Sequence, residues 1–326
     1  MEAPERYLCV DIGGTAVKAG ILAEDGTILL DREQPTPQEA ADLLDLLTGI
    51  AENFAPVQID GVPGIFREFR GFRGFCVSTT GIVDPWRGEI LPGSEAIKNY
   101  GKTPLRALLQ ERTALPVEVE NDVNCALLGE HWLGAARGFQ NAACITVGTG
   151  IGGAFMIGGR LYRGTRFNAM EVGHIPFFPS NWEQRASTLS LAFRYARLAG
   201  IPPDSLSGLN GRVVLERAQE GDQAALQAVD ELCFYLAQGI AALLAVLAPD
   251  VLVLGGGIAG SMDFLLPRID RVLDGTIAAH FRENVDVRAA QLGNRAGLAG
   301  ALKHFLNMRK TKAEKTKEGK KSEDDF

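Results

Sequence analysis

The sequence predicts a mixed α/β protein of two similar domains, and three observations lead to this prediction. An apolar strand runs into a glycine turn and back into a strand at residues 7–22, and the pattern returns at 143–159. Elsewhere apolar strands alternate with amphipathic helices, as in layered α/β domains. At 326 residues the chain can form two hydrophobic cores. We expect the paired glycine turns to bind one nucleotide, because their backbone N–H groups suit an anionic phosphate.

Each element follows from its local pattern. Strand-type alternation around turn residues predicts three strands over 7–33, and an apolar helical face predicts a helix over 38–54. The first domain is completed by a strand, a helix and a strand, in the order βββαβαβ. The later predicted elements are a strand at 74–84, a helix at 103–114, a strand at 116–122, a helix at 122–138, the second hairpin, helices over 186–248, a strand at 251–257, a helix from about residue 263 and a strand at 285–290.

These elements predict the domain boundaries. We expect a small N-terminal α/β domain over residues 1–118, completed by a closing helix at 295–308, and a larger C-terminal domain over 119–294. Residues 309–326 form a mixed-charge tail with almost nothing to bury, which predicts disorder.

Composition argues against several classes of protein. A net charge of −7 disfavours nucleic-acid binding. For the segment at 66–75, in which Phe and Arg alternate, the same charge favours an edge segment with solvated arginines over a surface that stacks nucleic-acid bases. Five scattered cysteines indicate buried thiols in a reducing compartment rather than a disulfide framework. The 18-residue uncharged stretch at 232–249 carries Gln238 and runs into a strand, which favours a buried interdomain helix over a membrane span. With no signal peptide before Tyr7, we expect a cytoplasmic protein without nucleic-acid or membrane partners.

The two glycine turns differ from other known phosphate loops. Strand alternation continues after Gly14, whereas a dinucleotide-binding fingerprint requires a helix there. Neither loop has the Lys-Ser or Lys-Thr pair of a Walker A motif. For either loop alone, a plain tight hairpin remains the alternative.

Residues 120–125, with the sequence ENDVNC, close an apolar strand with polar side chains. Ligands of open α/β sheets bind at such carboxyl ends. Asp122 is a candidate general base for a hydroxyl that attacks phosphorus, with Asn121 holding the same substrate; the alternative role for Asp122 is a helix N-cap. Asp11, at the end of the first strand, is a candidate to hold Mg²⁺ through water, and Thr15 and Lys18 are candidates to contact phosphate.

Two further motifs carry candidate ligands. Glu171 and His174 in EVGH, followed by Glu183, could bind one polyhydroxylated molecule, since sugars present donors and acceptors around a ring. LGGGIAG at 254–260 follows an apolar strand and precedes a helix; it fits an adenosine-binding loop, and a helix-entry turn is the alternative.

Taken in order, DIGGT, VENDVNCALLGE, ITVGTGIGG, EVGH, LGGGIAG and NRAGLAGAL resemble the ROK sugar kinases of the actin-like ATPase superfamily over residues 7–308. The resemblance implies two actin-like, ribonuclease H-like domains flanking a central cleft, ATP and Mg²⁺ as cofactors, and a homodimer. It implies Asp122 as the catalytic base and Asn121, Glu171, His174 and Glu183 as sugar ligands. It assigns nucleotide contacts to Asp11, Gly13, Gly14, Thr15, Thr149, Gly150, Gly255, Gly256 and Gly257.

One departure from the family pattern concerns zinc. Many members place a CxCGxxGC loop between their EVGH-type histidine and the glutamate that matches Glu183, whereas this chain has only IPFFPSNW. We therefore expect no structural zinc, and the compact form is similar to zinc-free branches that include β-glucoside kinases. The segments STTGIVD and LPGSEAIKNYG are expected to line the sugar pocket, which makes Gly81 and Asn99 candidate sugar contacts.

The resemblance thus predicts an ATP-dependent kinase that phosphorylates a hexose-type sugar, at C6, with glucose, N-acetylmannosamine and β-glucosides as candidate substrates. The alternative is a non-catalytic sugar-sensing regulator on the same fold. The family's repressors carry an N-terminal DNA-binding segment, for which this sequence has no room before Tyr7.

Overall fold

The computed structural model of the chain describes residues 5–54, 71–93, 96–283 and 285–323, with side chains described through residue 314. Residues 66–70 of the Phe–Arg segment and 94–95 of the second expected pocket segment lie outside the described residues. The chain divides into two compact units. Unit 1 comprises Met1–Leu133 and Arg295–Phe326, and unit 2 comprises Gly134–Asn294.

In chain order the helices and strands of the described residues are β1 (Arg6–Ile12), β2 (Ala16–Ala23), β3 (Ile28–Pro35), α1 (Ala40–Phe54), β4 (Phe75–Thr79), β5 (Val83–Asp84), β6 (Glu89–Ile90), α2 (Leu105–Thr113), β7 (Val117–Asn121), α3 (Asp122–Leu133), β8 (Ala142–Val147), β9 (Ile151–Ile157), β10 (Arg160–Leu161), β11 (Pro176–Phe177), β12 (Ser180–Asn181), α4 (Trp182–Ala186), α5 (Thr188–Leu198), α6 (Gly211–Gln219), α7 (Gln223–Leu247), β13 (Val251–Gly255), α8 (Met262–Thr276), α9 (Ala279–Arg282), β14 (Asp286–Ala289) and α10 (Ala296–Glu323). Short 3-10 turns include Val172–His174 and Gly256–Ser261.

Unit 1 contains a five-stranded mixed sheet in the order β3-β2-β1-β4-β7. β1 pairs antiparallel with β2 in the first glycine hairpin and parallel with β4, which pairs parallel with β7. The predicted βββαβαβ order is confirmed, with the small β5–β6 hairpin inserted before α2. Since parallel strands end at the same edge of a sheet, Asp11, Ser78 and Asn121 lie along one edge.

The two-residue period of β1 sends its side chains into two separate helical layers. Leu8, Val10 and Ile12 belong to the buried cluster that also contains the apolar faces of α1 and α2. Tyr7 and Cys9 belong to a second buried cluster with Phe305 of α10 and Cys125 of α3, so unit 1 has helices on both faces of its sheet.

Helices α3 and α10 pack closely, and this packing sets the domain boundary. A Cβ at Gly129 would lie 2.4 Å from the backbone oxygen of Ala296, and one at Gly300 would lie 1.7 Å from that of Cys125, so both close approaches require glycine. Residues 119–133, which the sequence assigned to the second domain, therefore fold with unit 1, as does the closing helix.

The C-terminal tail differs from the prediction of disorder. Residues 309–323 continue α10 instead of leaving the fold. Lys312 forms an ion pair with buried Glu118, and the Thr311 hydroxyl donates to the Asn307 carbonyl at 3.1 Å. The segment is rich in Lys and Glu, which favour helix, so its mixed charge does not by itself predict disorder.

Unit 2 repeats the plan with the sheet order β10-β9-β8-β13-β14. β8 and β9 form the second glycine hairpin, antiparallel, while β8, β13 and β14 run parallel. Both glycine hairpins predicted from the sequence are thus confirmed as strand-turn-strand units. The carboxyl ends of β8 and β13 place their following glycine loops side by side.

The long helix α7 lies at the centre of the unit 2 core. Asp222 caps its first turn by accepting the N–H of Ala225 at 3.0 Å. By length and composition alone α7 could cross a membrane, but Leu232, Leu236 and Ile240 are fully buried in the core of unit 2. It is a core helix of one unit rather than the interdomain helix that the sequence suggested.

Candidate active site

Hydrogen bonds hold the backbone of the first glycine turn, and the tip of the turn is exposed. Gly13 donates its N–H to the Ala16 carbonyl at 3.0 Å, which closes the turn. Thr36 supports it twice, because its hydroxyl donates to the Gly13 carbonyl at 2.7 Å and its N–H donates to the Thr15 carbonyl at 3.0 Å. Gly14 and Thr15 are exposed at the tip. A rigid turn with exposed backbone groups fits an anionic ligand.

Asp11 lies beside this turn at the end of β1. Its Oδ1 accepts the Ser78 hydroxyl at 2.6 Å. Burial raises the pKa of Asp11, while the Ser78 hydrogen bond and the charge of Lys18, its register partner on β2, lower it in part. A Cβ at Gly297 would lie 2.4 Å from Asp11 Oδ2, so the start of α10 closes directly over the carboxylate.

The Asp11 carboxylate is the donor expected to hold Mg²⁺ through water. No group of three or more His, Cys, Asp or Glu side chains is arranged to hold a metal ion among the described residues. One carboxylate oxygen is already committed to Ser78, and the donor is a hard oxygen of the kind that Mg²⁺ prefers.

Asn121 and Asp122 form a fixed pair at the junction of β7 and α3. Asn121 Oδ1 accepts the backbone N–H groups of Val123 at 3.0 Å and Asn124 at 3.1 Å, so Asn121 caps the helix. Asn121 Nδ2 donates to the Gly81 carbonyl at 3.0 Å and to Asp122 Oδ1 at 2.9 Å. Asp122 Oδ1 also accepts the Val123 N–H at 2.9 Å. The structure thus brings Asn121, Asp122 and Gly81 together, and two donors hold the Asp122 carboxylate in place.

The buried carboxylate of Glu120 holds the backbone next to the Asn121–Asp122 pair, and the sequence analysis did not identify it. Glu120 has 0% exposure, and its Oε1 accepts the Asn121 N–H at 2.9 Å and the Asn124 Nδ2 at 3.0 Å. Its Oε2 lies 3.6 Å from Nδ1 of His304 on α10. The position of Glu120 within the mostly buried strand VEVEN could have indicated a buried carboxylate. Its partner His304 could not be identified in this way, because it lies in α10, far along the sequence.

Two neighbouring residues of the second expected pocket segment, Asn99 and Tyr100, have different relations to Asp122. Asn99 has a positive φ of 59° and donates its amide to Glu39 at 2.9 Å, at an exposed position. The next residue, Tyr100, is buried with its hydroxyl 2.8 Å from the Thr79 hydroxyl. Burial raises the pKa of Tyr100, and the nearby charge of Asp122 raises it further. Tyr100 therefore lies within electrostatic reach of Asp122, while the Asn99 amide is held by Glu39.

In unit 2 the second glycine turn is joined to Glu183. Glu183 Oε2 accepts the backbone N–H of Ile151 at 2.9 Å. On the other side of the turn, the Thr188 N–H donates to the Gly148 carbonyl at 2.8 Å. Thr149, at the tip, shares with Glu183 a cleft of about 480 Å³ in unit 2.

Glu183 is placed by its neighbour in α4. Trp182 is fully buried, and its indole N–H donates to the Tyr235 carbonyl of α7 at 2.8 Å. A Cβ at Gly239 would lie 2.0 Å from the Trp182 ring, so α7 has room for the indole only because this residue is glycine. The first turn of α4, which carries Glu183, is therefore anchored on the central helix of unit 2.

Glu171 immediately precedes the short 3-10 turn Val172–His174, and both Glu171 and His174 lie close to Glu183. The His174 N–H donates to the Glu171 carbonyl at 3.2 Å, and both side chains are exposed. Desolvation raises the pKa of Glu171; the charge of His174 lowers it and that of Glu183 raises it. The structure thus brings Glu171 within electrostatic reach of both His174 and Glu183, the two other predicted sugar ligands of this unit.

The third glycine loop lies against the end of β8. Gly256 has a φ of +82°, and a Cβ there would lie 2.7 Å from the backbone N and O of Val147. A Cβ at Gly257 would be 3.5 Å from the same carbonyl oxygen, and one at Gly255 would be 3.1 Å from the Ala290 side chain. The predicted adenosine loop and the second glycine turn are therefore adjacent within unit 2.

Comparison with known proteins places this geometry in a family. The ROK family model matches residues 7–307. The chain is 31% identical over 315 residues to a glucokinase of Streptomyces coelicolor, with 90% of this chain and 95% of the relative covered. It is 31% identical over 306 residues to a β-glucoside kinase of Listeria innocua, with 91% and 96% covered.

A solved structure matches equally well. It is a ROK family glucokinase from Streptomyces griseus in complex with glucose and AMPPNP, with a TM-score of 0.80 and 31% identity over 91% of this chain and 98% of that one. The match supports the actin-like ATPase fold for both glycine-hairpin sheets. With its glycine hairpins, its fixed Asn121–Asp122 pair and its EVGH segment, the chain belongs to the ROK family.

Proposed function

We propose that this protein is an ATP-dependent sugar kinase that transfers the γ-phosphoryl group of ATP to a hydroxyl of a hexose-type sugar, at C6. The observation that carries the proposal is the Asp122 carboxylate, half-buried at the start of α3 and held by the Asn121 amide and the Val123 N–H. Phosphoryl transfer requires such a carboxylate to orient the attacking hydroxyl and accept its proton.

The transfer itself can be written as one balanced step. The sugar oxygen forms a bond to the γ-phosphorus while its proton passes to Asp122, and the bond between the phosphorus and the bridging oxygen breaks, leaving its electron pair on ADP. The backbone N–H groups of Gly14, Thr15, Thr149 and Gly150, with Lys18, would bind phosphate oxygens, while Gly13 closes its turn through the Ala16 carbonyl. Mg²⁺, held near Asp11 through water, would neutralise phosphate charge.

The sugar would be oriented by side chains of fixed geometry. Asn121 would bind a sugar hydroxyl beside the base in exchange for its Nδ2 contact with the Gly81 carbonyl, and Gly81 and Asn99 lie on the segments proposed to contact the ring. Glu171, His174 and Glu183 would bind the remaining hydroxyls, with the carboxylates accepting hydrogen bonds. Gly255, Gly256 and Gly257 would face adenosine. The proposal includes no structural zinc, and in support the segment between His174 and α4 is a short β11–β12 hairpin without cysteine.

Glucose, N-acetylmannosamine and β-glucosides are the proposed substrate candidates, since relatives include a glucokinase and a β-glucoside kinase. We propose a cytoplasmic location, which agrees with all five cysteines being buried thiols outside any disulfide. A homodimer without nucleic-acid or membrane partners completes the proposal, and light scattering of the purified chain tests its mass.

The test of the proposed function is a coupled ADP-release assay over a panel of glucose, N-acetylmannosamine, fructose, allose and cellobiose. We expect at least one sugar to raise ADP release far above the rate with ATP alone. Equal rates with and without every sugar would refute the proposal.

A further inference from the structure

We propose that Glu183 is a positioning residue that couples sugar binding to the second phosphate loop, in addition to its proposed contact with the sugar. The inference rests on the proposed function. One carboxylate oxygen, Oε2, holds the Ile151 N–H at 2.9 Å, directly after the Thr149–Gly150 turn. A carboxylate has about four lone-pair positions on two oxygens, so the same group can also accept sugar hydroxyls.

Two glycines make this contact sterically attainable. A Cβ at Gly150 would lie 2.3 Å from Glu183 Oε2, and one at Gly173 would lie 3.2 Å from the same atom. The carboxylate therefore lies between the backbone of the glycine turn and the backbone of the EVGH segment. Any larger residue at position 150 displaces the carboxylate from the Ile151 N–H.

The glycine turn and the α4–α5 segment are joined at a second point. Ser187 donates its N–H to the Glu183 carbonyl at 3.0 Å and ends α4, and the next residue, Thr188, donates its N–H to the Gly148 carbonyl at 2.8 Å. Within the turn, the Gly148 N–H donates to the Gly150 carbonyl at 2.9 Å. The α4–α5 segment thus contacts the turn on both sides of Thr149, so a shift of Glu183 is transmitted to it.

The EVGH segment is also packed against the strand that leaves the turn. A Cβ at Gly153 on β9 would lie 2.7 Å from the Met170 carbonyl oxygen, and one at Gly173 would lie 2.6 Å from the Ile151 carbonyl oxygen. The charge of Glu183 also raises the pKa of Glu171. A sugar that contacts Glu171, His174 and Glu183 would therefore contact residues that are packed against β9, the strand that directly follows the second phosphate loop.

Such a connection has an equilibrium consequence. A sugar that fixes the Glu183 carboxylate also fixes the Ile151 N–H, so a phosphate then binds a turn that is already ordered. By linkage the nucleotide must tighten sugar binding by the same factor. Typical coupling between two sites is about 5-fold to 150-fold in affinity, and we expect about 10-fold here.

The test is the dissociation constant of Mg·AMPPNP, measured by calorimetry with and without saturating glucose, and again with cellobiose. In the unaltered chain the sugar lowers this constant by about 10-fold. Gly150→Ala retains the Glu183 carboxylate but displaces it from the Ile151 N–H, and Glu183→Ala removes the carboxylate. In both variants we expect the ratio of the Mg·AMPPNP dissociation constants without and with sugar to fall below about 2-fold. The ratio is the readout, because each substitution also changes the absolute affinity of a proposed ligand.

Gly275→Ala is the matched control, since Gly275 lies in α8 and a Cβ there has no neighbour within 4 Å. It should retain the full coupling. The inference is overturned if Gly150→Ala or Glu183→Ala melts like the unaltered chain and retains the 10-fold ratio. It is also overturned if the unaltered chain phosphorylates a sugar but shows no coupling between sugar and nucleotide binding. If neither of these variants folds, Glu183→Gln, with a single oxygen acceptor, must reduce the ratio. A chain that phosphorylates no sugar of the panel refutes the proposed function instead, and this inference falls with it.

Discussion

Replacing Asn121 with Asp separates the two roles of this side chain. The new carboxylate has the shape of the amide, so it still accepts the N–H groups of Val123 and Asn124 and still caps α3. It loses the donor that now contacts the Gly81 carbonyl and Asp122. In its place, a second negative charge lies beside the proposed base.

The size of the effect follows from the geometry. Asn121 Nδ2 and Asp122 Oδ1 are 2.9 Å apart, and both residues are half-buried. Two like charges about 4 Å apart repel by about 1 kcal/mol in water and about 4 kcal/mol near a protein surface. An intermediate value of about 2 kcal/mol exceeds the ~1.4 kcal/mol that equals a tenfold change in a protonation equilibrium. The base in Asn121→Asp should therefore hold its proton to higher pH.

The assay is the pH profile of kcat/KM. Its acidic limb should move upward by about one pH unit or more in Asn121→Asp, measured at temperatures where the destabilised chain remains folded. The height of the profile also falls, because Asn121 is a proposed sugar ligand, so the position of the limb is the readout.

Asn121→Ala is the matched control. It removes the cap and should lower the free energy of unfolding by about 1 kcal/mol, without adding a charge. An acidic limb at the same pH in Asn121→Asp and in the unaltered chain would refute the assignment of Asp122 as the base.

Three further predictions follow from other contacts. Gly297→Ala places a Cβ 2.4 Å from Asp11 Oδ2, so it should lower the free energy of unfolding by about 1–3 kcal/mol, measured by denaturant titration. It should also weaken Mg·AMPPNP binding, measured by calorimetry, and unchanged values of both would contradict the close approach. Desolvation raises the pKa of Glu171, so its ionised form is disfavoured in the folded chain, and stability should fall as pH rises from the ordinary value through the raised one; Glu171→Gln should make this decline shallower in melts across that range, and an identical decline would disprove it. Deleting residues 309–326 removes the end of α10 and the Lys312 ion pair, so the far-ultraviolet helical signal should decrease by more than a disordered tail would contribute, whereas an unchanged helical content would argue for disorder.

The fold could be predicted where the signal is local. The two glycine hairpins and the βββαβαβ order of elements in the first unit depend on alternation and turn residues within short windows, and the structure confirms them. The tail at 309–326 shows the limit of a composition argument. Its charges predicted disorder, but its helix-forming residues extend α10, and Lys312 reaches buried Glu118.

The candidate site was predictable in its residue types but not in its contacts. Asn and Asp both cap helices well, so the sequence could not decide that Asn121 caps α3. The Glu183 contact to Ile151 joins residues 32 positions apart. The Glu120–His304 pair joins a strand to the last helix, and no local pattern signals such a pair. The domain boundary depended in the same way on close α3–α10 packing at Gly129 and Gly300.

The most direct test of the central claim is the formation of sugar phosphate by the unaltered chain and by Asp122→Asn, followed by ³¹P NMR with ATP, Mg²⁺ and the most active sugar of the panel. We predict a new sugar-phosphate resonance with the unaltered chain. We predict that Asp122→Asn forms it about 10²-fold to 10⁴-fold more slowly while remaining folded, because the base is lost. A folded Asp122→Asn chain that phosphorylates the sugar at near the unaltered rate would contradict the account.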